Sequence, residues 1–169
     1  MNNHIFLIGF MGSGKSTIGP ILAREIKQPF HDLDKVIETE QNTTIKEIFA
    51  TKGESFFREL ESHSLVQSRH LDPCVMALGG GAFVSDFNRT FIAKHGVSIW
   101  LKVPLQLAKT RCKNSPDRPL AKNLDRWESL FQVREMHYSL ADIHIEVEWK
   151  SPSRIAAEIQ ERLEELKRQ

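Results

Sequence analysis

The chain has 169 residues, 40% of them hydrophobic, the length of one domain that can bury a core without disulfide staples. Its 23 basic and 22 acidic side chains nearly cancel, which leaves no electrostatic footprint for nucleic acid or an anionic membrane and points to a small-molecule partner. Cys74 and Cys112 lie far apart without ligand spacing and the seven histidines are scattered singly, so reduced thiols and no structural zinc are expected.

The N-terminal apolar run breaks at Gly9 and lacks a basic flank, too short for a signal peptide or a membrane span. A cytoplasmic protein is expected. No heptad seam demands a partner chain, so a monomer is expected as well.

Short apolar runs alternate with segments of helical period, the pattern of an α/β domain with a mainly parallel sheet. The strand candidates are IFLIG, FHDLD, CVMAL, VSIWLKV and DIHIEV. The first feeds GFMGSGKST, where Gly9, Gly14, Lys15 and Ser16 match G-x-x-x-x-G-K-[ST] between a strand and a helix. In such a loop successive N–H groups around Gly12, Ser13 and Gly14, with the helix N-terminus behind them, face phosphate oxygens. Lys15 would reach the β and γ phosphates, Ser16 would offer its hydroxyl to Mg²⁺, and Thr17 would add a contact to the α phosphate. A dinucleotide fingerprint fits poorly, because Thr17 stands where its last glycine belongs. The donor read from this loop is a nucleoside triphosphate.

The segment STIGPILAREIKQ puts Ile18, Ile21, Leu22 and Ile26 on one helical face, with Pro29 beyond its end. The second strand ends in DLD, and in an extended chain Asp32 and Asp34 point the same way, one toward Mg²⁺ and one toward an acceptor hydroxyl. The plainer reading is that one of them caps the next helix. Thr44 and Glu47 read as a capping box for a helix that stops near Gly53. A further helix carries ESFFRELESHSLVQSR, with Arg58 braced by Glu61 three residues on. That pair suits a bidentate grip on a carboxylate, although taken alone such spacing is most often a solvated surface pair.

After CVMAL come Gly79, Gly80 and Gly81, read as a substrate wall that uses φ > 0 and exposed amides at the carboxyl edge of the sheet. Ser85 caps DFNRTFIAKH, which Gly96 ends, and Pro104 suits the first turn of PLQLAKTR. CKNSPDRPLAKN is the least regular stretch, a mobile loop in which Arg118 either closes over reacting phosphates or is simply solvated. Arg134, on the helix DRWESLFQVREMHYSL, has the same two readings. The last helix repeats Ile155, Ile159, Leu163 and Leu166 on a packing face.

In this order the P-loop, DLD, GESFFRELE, LGGGA, DRPL and RxxxY resemble the shikimate kinase family along nearly the whole chain. The resemblance implies a three-layer α/β/α P-loop kinase fold with a five-stranded parallel sheet in order 2-3-1-4-5, over residues 1–169 as one domain. It implies a mobile lid at about 112–124 and a substrate-binding helical region at about 34–60. The activity implied is transfer of the γ-phosphoryl of ATP to the 3-hydroxyl of shikimate, with one Mg²⁺ per subunit, in aromatic amino acid biosynthesis.

By the same resemblance Asp32 would hold Mg²⁺ through water beside Ser16, and Asp34 would orient or deprotonate the hydroxyl. Arg58 and Arg134 would clamp the substrate carboxylate, Gly80 and Gly81 would line the site and Glu61 would support Arg58. Arg118 would be the lid arginine, and Arg111 and Pro152 would flank the adenine. The family pattern R-x-P-L-Y is broken here by Met136 and His137, and the missing proline should change how rigidly that turn presents Arg134. Rival readings are another small-metabolite P-loop kinase, such as a gluconate kinase, or a nucleotide-binding module without catalysis.

Overall fold

A computed structural model describes residues 4–112 and 124–168, the side chains of 124–126 excepted. Five strands, β1 (His4–Ile8), β2 (Phe30–Asp32), β3 (Val75–Ala77), β4 (Gly96–Lys102) and β5 (Ile143–Glu146), form one sheet in the order β2-β3-β1-β4-β5. Every pairing is parallel, with Ile5 opposite Val75 and Val97, Phe30 opposite Val75, and Ile99 opposite Ile143. A parallel sheet covered on both faces needs near-continuous apolar strands. β1 and β3 are buried at every position, whereas β5, on the edge, alternates buried and exposed.

Among the described residues seven α-helices connect and cover the strands: α1 (Lys15–Glu25), α2 (Leu33–Gln41), α3 (Ile45–Gln67), α4 (Asp86–His95), α5 (Leu105–Cys112), α6 (Leu124–Tyr138) and α7 (Pro152–Lys167). The crossover from β1 to β2 runs one way along the sheet and every later one runs back. Because parallel crossovers are right-handed, α1 falls on one face and α2 to α6 on the other. α7 packs beside α1, and α3 reaches both α2 and α4, as that rule requires. No helix among the described residues is long and apolar enough to cross a membrane.

The core lies between the sheet and these layers. Phe6, Leu7, Leu22, Leu33, Ile37, Leu65, Ile99, Leu101 and Ile159 are fully buried, each contributing about 1.5–3 kcal/mol of transfer free energy. On α7 the buried stripe is Ile155, Ile159 and Leu163, while Leu166 is 41% exposed, so the packing face ends one turn earlier than its period suggests.

Helix ends follow local chemistry. Thr44 and Glu47 form the expected capping box, and Gly53, at φ 81 and ψ 174, breaks α3 into two segments. Ser85 accepts from the Asn88 N–H and Gly96 ends α4. The plainer reading of DLD holds for Asp32, which caps α2 by accepting from the Asp34 N–H at 3.1 Å, and Asn42, at φ 50, closes the helix. Leu33 and Ile37 supply its buried face. Residues 34–60 are thus occupied by α2 and the first part of α3, and of the lid expected at about 112–124 all but the two end positions lie outside the described residues.

The carboxyl ends of all strands share one rim. Crossovers leave β1 and β3 on opposite faces of the sheet, which opens a crevice between these neighbours, where parallel α/β sheets take their ligands.

Candidate active site

The donor half is built on the turn from β1 into α1. Gly9 has φ 143, and a Cβ there would lie 2.7 Å from the Leu101 carbonyl oxygen, so only glycine permits the chain to turn beside β4. Gly14, at φ 98, occupies the N-cap of α1 without a side-chain cap, and no acidic residue sits in the first turn. The N–H groups and positive dipole end of α1 therefore carry no acidic side chain from the helix's own first turn.

Ser13 is buried and donates its N–H to the Phe10 carbonyl at 3.1 Å. Lys15 folds back over the loop, with Nζ donating to the carbonyls of Gly9 (2.7 Å) and Phe10 (3.3 Å). Ser16 and Thr17 are exposed, and the Ser16 hydroxyl donates to Asp32 Oδ2 at 3.3 Å. Arg111, near the end of α5, donates Nη1 to the Gly12 carbonyl at 2.9 Å. Pro152 opens α7 on the same rim, exposed and outside this set.

The paired-aspartate geometry expected of an extended DLD is corrected here, because β2 ends at Asp32 and Leu33 already belongs to α2. The helical turn separates the two side chains: Asp32 faces Ser16, while Asp34 lies toward the exit of β3. There a Cβ added to Gly79 would lie 2.8 Å from Asp34 Oδ1 and 2.6 Å from Glu61 Oε1.

The acceptor half surrounds those carboxylates. Arg58 Nη1 donates to Glu61 Oε2 at 2.8 Å, and its other edge reaches the exposed Glu54 at 3.0 Å. Glu61 is 1% exposed. Burial holds its carboxyl above the usual range despite Arg58, and Asp34 adds to that rise. Burial opposes charge on Arg58 too, but its two carboxylates outweigh it and raise its pKa. Arg58 and Glu61 are therefore not a loose surface pair.

Arg134, on α6, is 6% exposed, and its guanidinium lies 5.7 Å from the Phe10 ring centroid. Among the described residues no carboxylate is ion-paired with it, and burial lowers its pKa. One turn on, the buried Tyr138 donates its hydroxyl to the Gly80 carbonyl at 2.5 Å. Burial pushes that phenol well above its usual pKa.

The glycine wall works differently from its sequence reading. None of Gly79, Gly80 and Gly81 has φ > 0. What they provide is room: a Cβ on Gly80 would meet Arg134 Nη1 at 2.8 Å, and one on Gly81 would meet Arg58 Nη1 at 2.3 Å.

A model of the shikimate kinase family matches residues 11–164. The chain belongs to the shikimate kinase family. It is 43% identical over 157 residues to the shikimate kinase of Sulfurihydrogenibium sp. (strain YO3AOP1), covering 92% of this chain and 95% of that protein. A solved shikimate kinase from Acinetobacter baumannii in complex with shikimate superposes with a TM-score of 0.92 at 31% identity, over 98% of this chain and 94% of that one. The crystal structure of the Aquifex aeolicus enzyme gives 0.86 at 38% identity, over 95% and 96%.

Seen as a shikimate kinase, the chain gathers Lys15, Ser16, Asp32 and Arg111 around the nucleotide loop, and Asp34, Arg58, Glu61, Gly79, Gly80, Gly81 and Arg134 around the acceptor side. Arg118 lies outside the described residues. Two residues were missed as site components, Tyr138 and Phe10. Their only local signal was an aromatic inside the phosphate loop and a tyrosine one turn beyond an arginine, and neither spacing states a contact.

Proposed function

We infer that this chain is a shikimate kinase that uses ATP to phosphorylate the 3-hydroxyl of shikimate, giving shikimate 3-phosphate and ADP. The observation that carries the acceptor assignment is Arg134: a buried guanidinium with no carboxylate ion-paired to it among the described residues, beside Arg58 and a wall of backbone amides. A buried charge needs a counter-ion, and a substrate carboxylate is the ligand that supplies it. The bound shikimate of the Acinetobacter baumannii relative supports the same acceptor.

In this reading the loop amides, with Lys15 turned from its carbonyl partners, bind the β and γ phosphates, and Thr17 touches the α phosphate. Arg111 and Pro152 flank the base. Mg²⁺ fits Ser16 and Asp32, a hydroxyl and a carboxylate 3.3 Å apart. No cluster of three His, Cys, Asp or Glu ligands occurs among the described residues, in keeping with an ion that relies on water and phosphate oxygens. When bound, it neutralises phosphate charge.

Asp34 accepts a hydrogen bond from the acceptor hydroxyl and orients its oxygen in line with the γ-phosphorus. The new O–P bond forms as the bond to the β-phosphate oxygen breaks, the proton passes to Asp34, and ADP departs. The transition state is loose, so positioning and charge stabilisation do most of the work. Arg118 is assigned to charge stabilisation from a lid at about 112–124. The chain is proposed to act as a single-domain monomer.

An ADP-release assay with shikimate, gluconate and nucleoside monophosphates as acceptors tests the assignment. Turnover with shikimate alone is expected; turnover with gluconate and none with shikimate would overturn it.

A further inference from the structure

Arg89 joins the glycine wall to the acceptor helix. Its Nη1 donates to the carbonyls of Phe83 (2.8 Å) and Val84 (2.7 Å), in the short 3-10 turn Ala82–Val84 that follows Gly81. The same nitrogen lies 3.3 Å from Nδ1 of His137 on α6, and Nη2 is ion-paired with Asp86 on its own helix. The Arg89 side chain is 18% exposed, so its hydrogen bonds are largely screened from water. Nη1 has two hydrogens, and the carbonyls of Phe83 and Val84 take the shorter contacts, so His137 Nδ1 meets it as the longer branch of a shared hydrogen, with its lone pair accepting.

His137 is placed to matter. It follows Arg134 by one helical turn and adjoins Tyr138, whose hydroxyl donates to the Gly80 carbonyl. The wall and α6 are therefore tied at two points, Tyr138 to Gly80 in the middle of the glycine run and Arg89 to His137 just beyond its C-terminal end. Arg134 meets the wall at the first of these ties, its Nη1 2.8 Å and the Tyr138 hydroxyl 3.4 Å from where a Gly80 Cβ would be. His137 also stands within the departure from R-x-P-L-Y. Where proline would stiffen the turn through its fixed φ, this chain has the exposed Met136 and a histidine held from α4.

We propose that Arg89 and His137 are positioning residues for the acceptor site, their contact setting how α6 presents Arg134 and Tyr138 to the glycine wall. The proposal rests on Arg134 as the clamp for the acceptor carboxylate. Neither residue touches the substrate; both act through Arg134. The consequence is selective, since the ties hold the acceptor wall and not the phosphate loop.

Steady-state kinetics on the full chain tests this with His137→Leu, His137→Asn, Arg89→Met and Arg134→Lys. His137→Leu is expected to raise the shikimate KM by about fivefold, the scale of one net hydrogen bond, with kcat and the ATP KM held within about twofold. His137→Asn keeps an acceptor oxygen close to the Nδ1 position and should stay near the parent. Arg89→Met should exceed His137→Leu, because it also strips two carbonyls of their donor; if it fails to fold, the partly exposed His137 still decides. An unchanged shikimate KM in His137→Leu, or an equal rise in both KM values, overturns the proposal. Arg134→Lys separates the two layers: no effect on the shikimate KM removes the clamp itself, whereas a rise there with none in His137→Leu removes only the positioning role.

Discussion

The guanidinium of Arg134 rests 5.7 Å from the ring centroid of Phe10, a residue of the phosphate loop. Phe10 is also edge-on to Trp127 and Phe131 of α6, at 4.9 and 5.0 Å between centroids. One buried ring thus seats the acceptor arginine's helix on the loop that holds the donor. Donor and acceptor halves are in register because they share this aromatic packing, not because the chain joins them locally.

Phe10→Leu keeps an apolar side chain but loses both ring pairs and the cation-π contact. Stability should fall by about 1–3 kcal/mol, and the shikimate KM should rise although the substituted residue belongs to the nucleotide loop. Thermal melts with parallel kinetics check it; unchanged values in both would show that the ring does not couple the halves.

Much of this was legible beforehand, for reasons that particular residues make plain. The P-loop is local: Gly9, Gly14, Lys15 and Ser16 state a turn, a helix start and a charge within eight residues. The Thr44 and Glu47 capping box and the Gly53 break are likewise local backbone chemistry. The strand order 2-3-1-4-5 came through the family resemblance, since periodicity carries no information on which strands pair. The extended geometry read for Asp34 was wrong, because the chain has already turned into α2, and the structure sets its carboxylate near Gly79. The Asp cap of the next helix stood as the alternative reading, but the strand was carried on to Asp34, two residues past its end at Asp32. The glycine wall was found for a conformational reason, but its role depends on Arg58, Arg134 and Asp34 arriving from three helices, which no local spacing can disclose.

Asp34→Asn should lower kcat by ~10²-fold or more while leaving ATP binding intact, because the amide cannot take the hydroxyl proton. Single-turnover assays with equilibrium nucleotide titration measure both. Near-parent turnover would remove Asp34 from the chemistry.

Arg58→Ala should raise the shikimate KM by about 10- to 100-fold, the worth of a charge-assisted pair, with little effect on the ATP KM. The same change leaves Glu61, 1% exposed, without its closest positive partner, so the melting temperature should also drop. Arg58→Lys should recover part of the stability but little of the affinity, since an ammonium cannot grip two acceptors in a plane. Equal shifts in both KM values would argue against this placement.

A pH effect is expected far from the site. His4 is 6% exposed, and burial, reinforced by the nearby His95, holds its pKa below the ordinary 6.5. Its Nδ1 accepts from the Cys74 N–H at 3.3 Å, which requires the neutral ring. Below about pH 6.5 the unfolded chain binds a proton that the folded chain refuses, so stability declines as pH falls through that value toward the depressed folded pKa. Urea midpoints for the parent and His4→Asn across this range check it: the parent's acid-side decline should flatten in the variant. Parallel curves would assign the decline to other groups.

Because Gly79, Gly80 and Gly81 each lack a side chain opposite a different group, the acceptor wall can be edited one carbon at a time. A methyl at 79 presses on the carboxylates of Asp34 and Glu61, one at 80 on Arg134, and one at 81 on Arg58. Three neighbouring codons thus address, separately, the two carboxylates and the two arginines, so a single added carbon in this short run reshapes one side of the wall while the phosphate loop stays intact.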